Sequence, residues 1–221
     1  MRVLVVADIH GNLAALEAVL AAAGPVDRVW CLGDVVGYGP RPRECVERIR
    51  EYAGPACVLG NHDAACLGRI PLDGCNPVAR YALRWTTLQL GPEHRAYLES
   101  LPEQFILHEV TLVHGSLRAP IWEYIFTPEQ ALASFALLQT RLCFFGHTHV
   151  PFLLSETAAH RGEPPIRPSD GETIEVRDGR YLINPGSVGQ PRDGDPRAAF
   201  AIWEPEQQRV TFRRVPYNIE A

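Results

Sequence analysis

Residues 3–7 are apolar without a break and rich in β-branched side chains, the pattern of a strand covered on both faces. After Asn12 the apolar positions return at helical spacing, with Leu13, Leu16 and Leu20 on one face; Asn12 suits an N-cap and Gly24-Pro25 a stop. RVWCL (28–32) reads as a second strand, 41–52 as a second helix after a glycine-rich loop, and ACVL (56–59) as a third strand. This β-α-β-α-β opening predicts an α/β sandwich with a largely parallel start. Residues 77–101 read as helical, 105 and 110–113 as strands, and 128–138 as a helix. Beyond residue 150, short strand candidates at 152–154, 173–176, 181–183, 199–203 and 210–213 predict a mostly antiparallel sheet. The proline- and glycine-rich stretch 156–171 is expected to be a loop or hairpin excursion within that one sheet, so that residues 1–221 form a single domain.

The residues that carry chemistry stand at the ends of the apolar runs. Residues 3–7 lead into Asp8 and His10, 28–32 into Gly33-Asp34, 56–59 into Gly60-Asn61-His62-Asp63, 110–113 into His114, and 143–145 into Gly146-His147 with His149. The carboxyl ends of strands are where open α/β sheets assemble ligand sites. Each piece alone has an ordinary reading, since Asp caps helices, Asn-His occurs in turns and glycine makes tight turns. Capping and turns do not require carboxylate, amide and imidazole at five neighbouring strand ends, so the set predicts a metal site. His147 and His149 project to one side only on an extended backbone, so that segment is expected to be extended. His94, His108 and His160 are left to surface or packing roles.

Composition narrows the partners. The chain is 46% hydrophobic and 21% charged with 19 prolines, which places it among soluble globular proteins. A net charge of −5 offers no long-range attraction to nucleic acid or an anionic membrane, so stable nucleic-acid binding is not expected. An anionic substrate then needs a local positive centre such as bound metal. Every basic residue is arginine, which reads as a genomic or thermal bias and excludes a catalytic lysine. The six cysteines form no C-x-x-C pair, and Cys31, Cys57 and Cys143 lie in apolar runs, which fits a reducing compartment. With no signal-peptide pattern and no apolar stretch of membrane-spanning length, a cytoplasmic protein is expected.

The ordered set D-x-H, GD, GNHD, HG and GHTH, here Asp8-Ile9-His10, Gly33-Asp34, Gly60-Asn61-His62-Asp63, His114-Gly115 and Gly146-His147-Thr148-His149, resembles the calcineurin-like metallophosphoesterase superfamily. The late segment INPGSVGQPRDGDPR resembles its small bacterial branch, diadenosine tetraphosphatase-like and phosphodiesterase-like. The resemblance implies a four-layer αββα sandwich of two mixed sheets flanked by helices, with a dinuclear metal site at the carboxyl ends of strands. It implies one ion on Asp8, His10 and His149, another on Asn61, His114 and His147, and Asp34 bridging them. Two such ions, roughly 3.5–4 Å apart, would polarise a phosphoryl group and acidify a bridging water to hydroxide. Carboxylate, imidazole and amide donors without thiolate favour manganese, with iron or zinc as alternatives.

His62 matches the family's histidine that is not a ligand; it is expected to protonate the leaving oxygen or touch a phosphate oxygen, with Asp63 orienting its ring. No cap domain is evident, so an open cleft favouring phosphodiesters or nucleoside polyphosphates over phosphoserine is expected, the substrate being small and phosphorylated. The substrate-binding candidates are Arg192 beside the turn Asn184-Pro185-Gly186-Ser187, whose backbone N–H groups suit an anion, and Trp122 and Arg118 just after His114. Trp122, Tyr124 and Phe126 alternate and would share one side of an extended segment, where a nucleobase could stack; packing in a core or interface is the competing reading. The rival function is a protein-binding scaffold of the same fold with a degraded metal site, against which the full set of ligand residue types argues.

Overall fold

The computed structural model describes residues 1–220. In the first sheet β1 (Val3–Val6) runs parallel to β2 (Arg28–Cys31), and the order is completed by the antiparallel strands β9 (Ala198–Glu204), β10 (Arg209–Val215) and β7 (Thr173–Glu175). The second sheet runs β3 (Gln104–Leu107), β4 (Val110–Val113), β5 (Leu142–Phe144), β8 (Tyr181–Asn184), β6 (Phe152–Ser155), with β4, β5 and β8 parallel. The helices are α1 (Leu13–Ala23), α2 (Pro42–Tyr52), α3 (Asn61–Cys66), α4 (Pro77–Gln89), α5 (Pro92–Glu99), α6 (Pro128–Leu137) and α7 (Glu156–His160).

Strand alternation explains the layers. Val3 and Val5 face the second sheet in a core with Trp30, Leu112, Phe144, Ile183 and Trp203, while Leu4 and Val6 face Leu16 and Val19 of α1 and Val46 and Ile49 of α2. On the far side Val113, Cys143 and Leu182 pack against Ala131 and Phe135 of α6. Three apolar interfaces thus stack helices, sheet, sheet and helices into the αββα sandwich. Because β1 is apolar on both faces, a slip of one residue would meet no polarity penalty. Its register is held at the polar end instead, where Asp8 N–H donates to Gly33 O (3.1 Å) and Leu32 N–H to Val6 O (2.8 Å).

Four expectations are corrected. Residues 56–59 make one bridge, Cys31 to Cys57, rather than a strand, because the next amide on that edge, Gly60 N–H, donates to the Asp63 carboxylate (3.1 Å) instead. The helical region 77–101 is two helices, broken at Leu90-Gly91-Pro92. The late strands do not form one antiparallel sheet: β6 and β8 join the second sheet, where β8 is parallel to β5, and β7, β9 and β10 join the first. Segment 156–171 therefore crosses between sheets, and it opens with helix α7, whose N-cap Ser155 accepts from Ala158 N–H (3.1 Å). Among the described residues no helix is long and apolar enough to cross a membrane, and all six cysteines are free thiols.

Candidate metal centre

The loops after β1, β2, β4 and β5 and the first turn of α3 converge at one end of the sandwich. His10 N–H donates to Asp34 O (2.9 Å) and Gly11 N–H to Val35 O (2.9 Å), joining the first two loops. His147 N–H donates to the Asp8 carboxylate (3.1 Å to Oδ2), and the buried Asn184 amide donates to Gly146 O (2.7 Å) and Thr148 Oγ1 (3.0 Å). Asp8, His10, Asp34, His147 and His149 all take positive φ, between 52° and 64°. That left-handed region is uncommon for residues other than glycine, although Asp and His enter it more readily than most. His147 and His149 therefore sit in a turn beyond β5, not on an extended backbone, and each joins a different group of side chains.

Two groups of donors result. Asp8, His10, Asp34 and His149 form one, and Asp34, His114 and His147 the other, the ligand atoms of each lying within 4.8 Å of one another. Asn61 joins the second through Oδ1, 3.1 Å from His114 Nε2. Asp34 Oδ2 lies 3.6 Å from His10 Nε2 and 3.4 Å from His114 Nε2, so a single carboxylate oxygen stands between the groups.

The protons of the four imidazoles are fixed from behind. His10 Nδ1 meets Val36 O (3.1 Å), His149 Nδ1 meets Gln190 O (2.6 Å), His114 Nδ1 meets Leu32 O (2.8 Å) and His147 Nε2 meets Trp122 O (3.2 Å). A carbonyl only accepts, so each of these nitrogens carries the N–H, and the opposite nitrogen of a neutral ring presents a lone pair. The opposite nitrogens face each other: His10 Nε2 and His149 Nε2 are 3.2 Å apart, His114 Nε2 and His147 Nδ1 3.1 Å, with carboxylate oxygens alongside. Ring nitrogens and carboxylate oxygens crowded together in a buried space are a donor set for cations, with a proton on His114 Nε2 in the place of one, and the residues fit divalent metal.

The electrostatics agree. Burial pushes His147 and His149 down to about 3 and His10 well below the usual range, which keeps them neutral. His114 is raised to about 9; burial works against its charge, but the adjacent Asp34 carboxylate outweighs it. Burial would likewise raise Asp34, yet His114 and His62 hold it well below the carboxylate range. Burial pushes the Asp8 and Asp63 carboxyls up.

His62 follows Asn61 on α3. Its N–H donates to Asp34 Oδ1 (2.8 Å), its ring packs against His10 (4.7 Å) and Tyr38 (4.8 Å), and its buried Nδ1 has no hydrogen-bond partner among the described residues. Gly37 is required here, since a Cβ would lie 2.4 Å from that nitrogen. Asp63 does not orient the His62 ring. Adjacent helical residues diverge, and its carboxylate instead accepts from Val36 N–H and Gly60 N–H (3.1 Å each), clamping the loop and capping α3.

A cleft of about 660 Å³ opens over His62, Asn61, His147 and His149, walled by Tyr38, Trp122, Tyr124, Asn76 and Arg192. Trp122 is 46% exposed on the rim; Tyr124 stacks on His147 (3.8 Å between centroids, 12°) and Phe126 on Tyr124 (5.1 Å), so the three rings do not line one wall together. Arg192 is exposed and lines the cleft, whereas Arg118 does not, being held in an ion pair by Glu123. The turn 184–187 is no anion cradle: Asn184 and Ser187 are fully buried, Gly186 N–H donates to Asn184 Oδ1 and Ser187 Oγ to Asp8 O. Tyr38 and Asn76 escaped the sequence reading. For Tyr38 a signal existed, the G-Y-G-P run that folds tightly over His10 and His62.

The comparisons agree with this geometry. Residues 1–208 match the profile of the calcineurin-like phosphoesterase superfamily domain. A metallophosphoesterase from Sphaerobacter thermophilus superposes with a TM-score of 0.93 at 59% identity, covering 99% of this chain and 89% of the other. An uncharacterized protein of Methanocaldococcus jannaschii is 39% identical over 98% of this chain and 88% of its own length. The phosphodiesterase YfcE of Escherichia coli is 28% identical over 89% of this chain and 84% of its own.

Proposed function

We propose, from the premise that this chain belongs to the calcineurin-like phosphoesterase superfamily and is a metallophosphoesterase, that it hydrolyses phosphodiesters or nucleoside polyphosphates at a dinuclear centre. Asp8, His10 and His149 hold one ion, Asn61, His114 and His147 the other, and Asp34 serves both. The observation that carries this reading is the set of ring nitrogens facing one another beside carboxylate oxygens, each ring fixed by a carbonyl behind it. Nitrogen and oxygen donors without thiolate suit manganese first, then iron or zinc. When bound, the ions supply Lewis acidity at the phosphoryl group and lower the pKa of water. His62, neutral by burial in the free protein, donates its cleft-side N–H to the substrate; a bound phosphate anion favours its imidazolium form, so that it takes up a proton, passes one to the leaving oxygen and returns to the neutral ring. Asp63 acts only through the loop it clamps.

Metal uptake should expel a proton. His114 is raised to about 9, so below that pH the metal-free protein keeps a proton on Nε2 that a metal must displace. Titration calorimetry at pH 8 in buffers of different ionisation enthalpy should report release of about one proton from this histidine. The release should fade as the pH rises through 9. Release that does not fall over that range would contradict the assignment of His114.

The cleft volume falls in the usual range for small-molecule sites, and an exposed arginine beside an exposed indole suits a substrate with several phosphates and a base. Arg192→Ala should raise KM for a dinucleoside polyphosphate more than for an aryl phosphate. Trp122→Ala should weaken hydrolysis of the dinucleotide by a stacking contact of roughly 1–3 kcal/mol, with Tm unchanged. If neither variant separates the two substrates, the nucleotide reading falls and a general phosphoesterase remains.

A further inference from the structure

His62 is held differently from the four histidines of the donor groups. Each of those has one ring nitrogen on a backbone carbonyl, which fixes the plane of its ring. His62 Nδ1 is buried without a hydrogen-bond partner among the described residues. The backbone N–H of His62 is tied to Asp34 Oδ1 (2.8 Å), but that bond leaves the side-chain torsions free. Asp63, the neighbour that could have oriented the ring, is engaged by Val36 N–H and Gly60 N–H. A proton donor must nevertheless keep one orientation toward the reacting oxygen.

Packing supplies that orientation. His10 meets the His62 ring edge-on at 4.7 Å (72°), Tyr38 lies against it at 4.8 Å (38°), and Tyr38 also meets His10 edge-on at 5.0 Å (78°). The three rings form a closed triangle, and Gly37 backs its Nδ1 side. His10 belongs to a donor group and is fixed by Val36 O, so Tyr38 is the member of the triangle with no other duty in the site. Its ring is half-buried in the wall of the cleft. The backbone on either side of it is pinned: Gly39 N–H donates to His10 O (2.7 Å), and Val36 N–H to the Asp63 carboxylate (3.1 Å). Between these two anchors Tyr38 takes φ 56° and turns its ring back over His62.

We infer that Tyr38 is the positioning residue of His62, holding the imidazole in line with the leaving oxygen by the face of its ring. The inference rests on the reading of His62 as the proton donor. It also assigns Asp63 a route to a side chain it does not touch: its carboxylate holds Val36, and Val36 holds the turn that presents Tyr38.

The test compares Tyr38→Phe, which keeps the ring, with Tyr38→Leu, which removes it. The manganese-loaded variants are assayed on a nitrophenyl phosphodiester and on an alkyl phosphodiester with a poor leaving group, with His62→Ala in parallel. Tyr38→Leu should lower kcat on the alkyl ester by roughly 10–100-fold with KM little changed, and on the nitrophenyl ester by no more than about threefold. Its metal content should equal that of the parent. Tyr38→Phe should keep kcat on both esters within about threefold of the parent. Added to His62→Ala, Tyr38→Leu should cost nothing further, because it acts through a ring no longer there. Equal losses on the two esters, an additive loss in the double variant, or a loss of ions in Tyr38→Leu overturns the inference. Tyr38→Phe as poor as Tyr38→Leu overturns it too, since the hydroxyl would then be the acting group. A selective defect in His62→Ala that Tyr38→Leu does not share sinks the inference alone; the absence of a selective defect in His62→Ala sinks the acid reading and the inference with it.

Discussion

Asp34→Asn should cost the protein both ions and nearly all of its turnover. One oxygen of this carboxylate stands between the two donor groups, 3.6 Å from His10 Nε2 and 3.4 Å from His114 Nε2, and it supplies the negative charge common to both. Asparagine keeps the shape, and its Oδ1 can still accept from His62 N–H, so the loop should hold its course. What is lost is the charge. Changes in residues that merely support metal ligands cost roughly 10–100-fold in affinity or activity, and loss of a shared ligand should exceed that. Elemental analysis should find well under two ions per chain, and the proton released from His114 on metal loading should shrink with the loss of the carboxylate that holds it. Two ions per chain with activity within a few-fold of the parent would refute the bridging role.

His62→Ala is expected to behave in the opposite way, with full metal content and a defect confined to chemistry. Alanine retains the backbone N–H that donates to Asp34, and the ring it removes coordinates nothing in either donor group. Turnover of esters with poor leaving groups should fall by roughly 10²–10⁴-fold, the usual scale of general acid catalysis. A nitrophenyl ester, whose leaving group needs no proton, should lose far less. Equal losses on both substrates would reduce His62 to a positioning residue.

The donor residues were legible because buried strands announce themselves as apolar runs and the donors stand where those runs stop. The groups that hold the donors were not. The four carbonyls behind the histidines, at Leu32, Val36, Trp122 and Gln190, belong to the backbone, and no side-chain type marks a backbone acceptor. The late strands were found, but not their partners, because an apolar face says that a strand is covered and not by which neighbour. Helix α7 had a signal in Ser155 followed by good helix formers, outweighed by the prolines and glycines after it. Turn 184–187 misled for a related reason. Small, flexible turns suit anions, but they also suit close packing, and here a Cβ on the neighbouring Gly189 would lie 1.9 Å from Ile9 O.

The left-handed backbone at Asp8, His10, Asp34, His147 and His149 bears on how such a chain can change over generations. That conformation costs most L-residues roughly 1–2 kcal/mol each, a cost that glycine escapes and that asparagine, aspartate and histidine feel less than most. Bound ions offset the cost by stabilising the folded state alone. A descendant that no longer needs the ions is free to drift to asparagine where a buried acceptor is still required. Asparagine at Asp8 and Asp34 would shed like-charge repulsion and still accept from His147 N–H and His62 N–H, so the loops keep their path. Loss of the ions in a hydrolase of this architecture can therefore begin at the two carboxylates and proceed one residue at a time, without unravelling the loops that carried them.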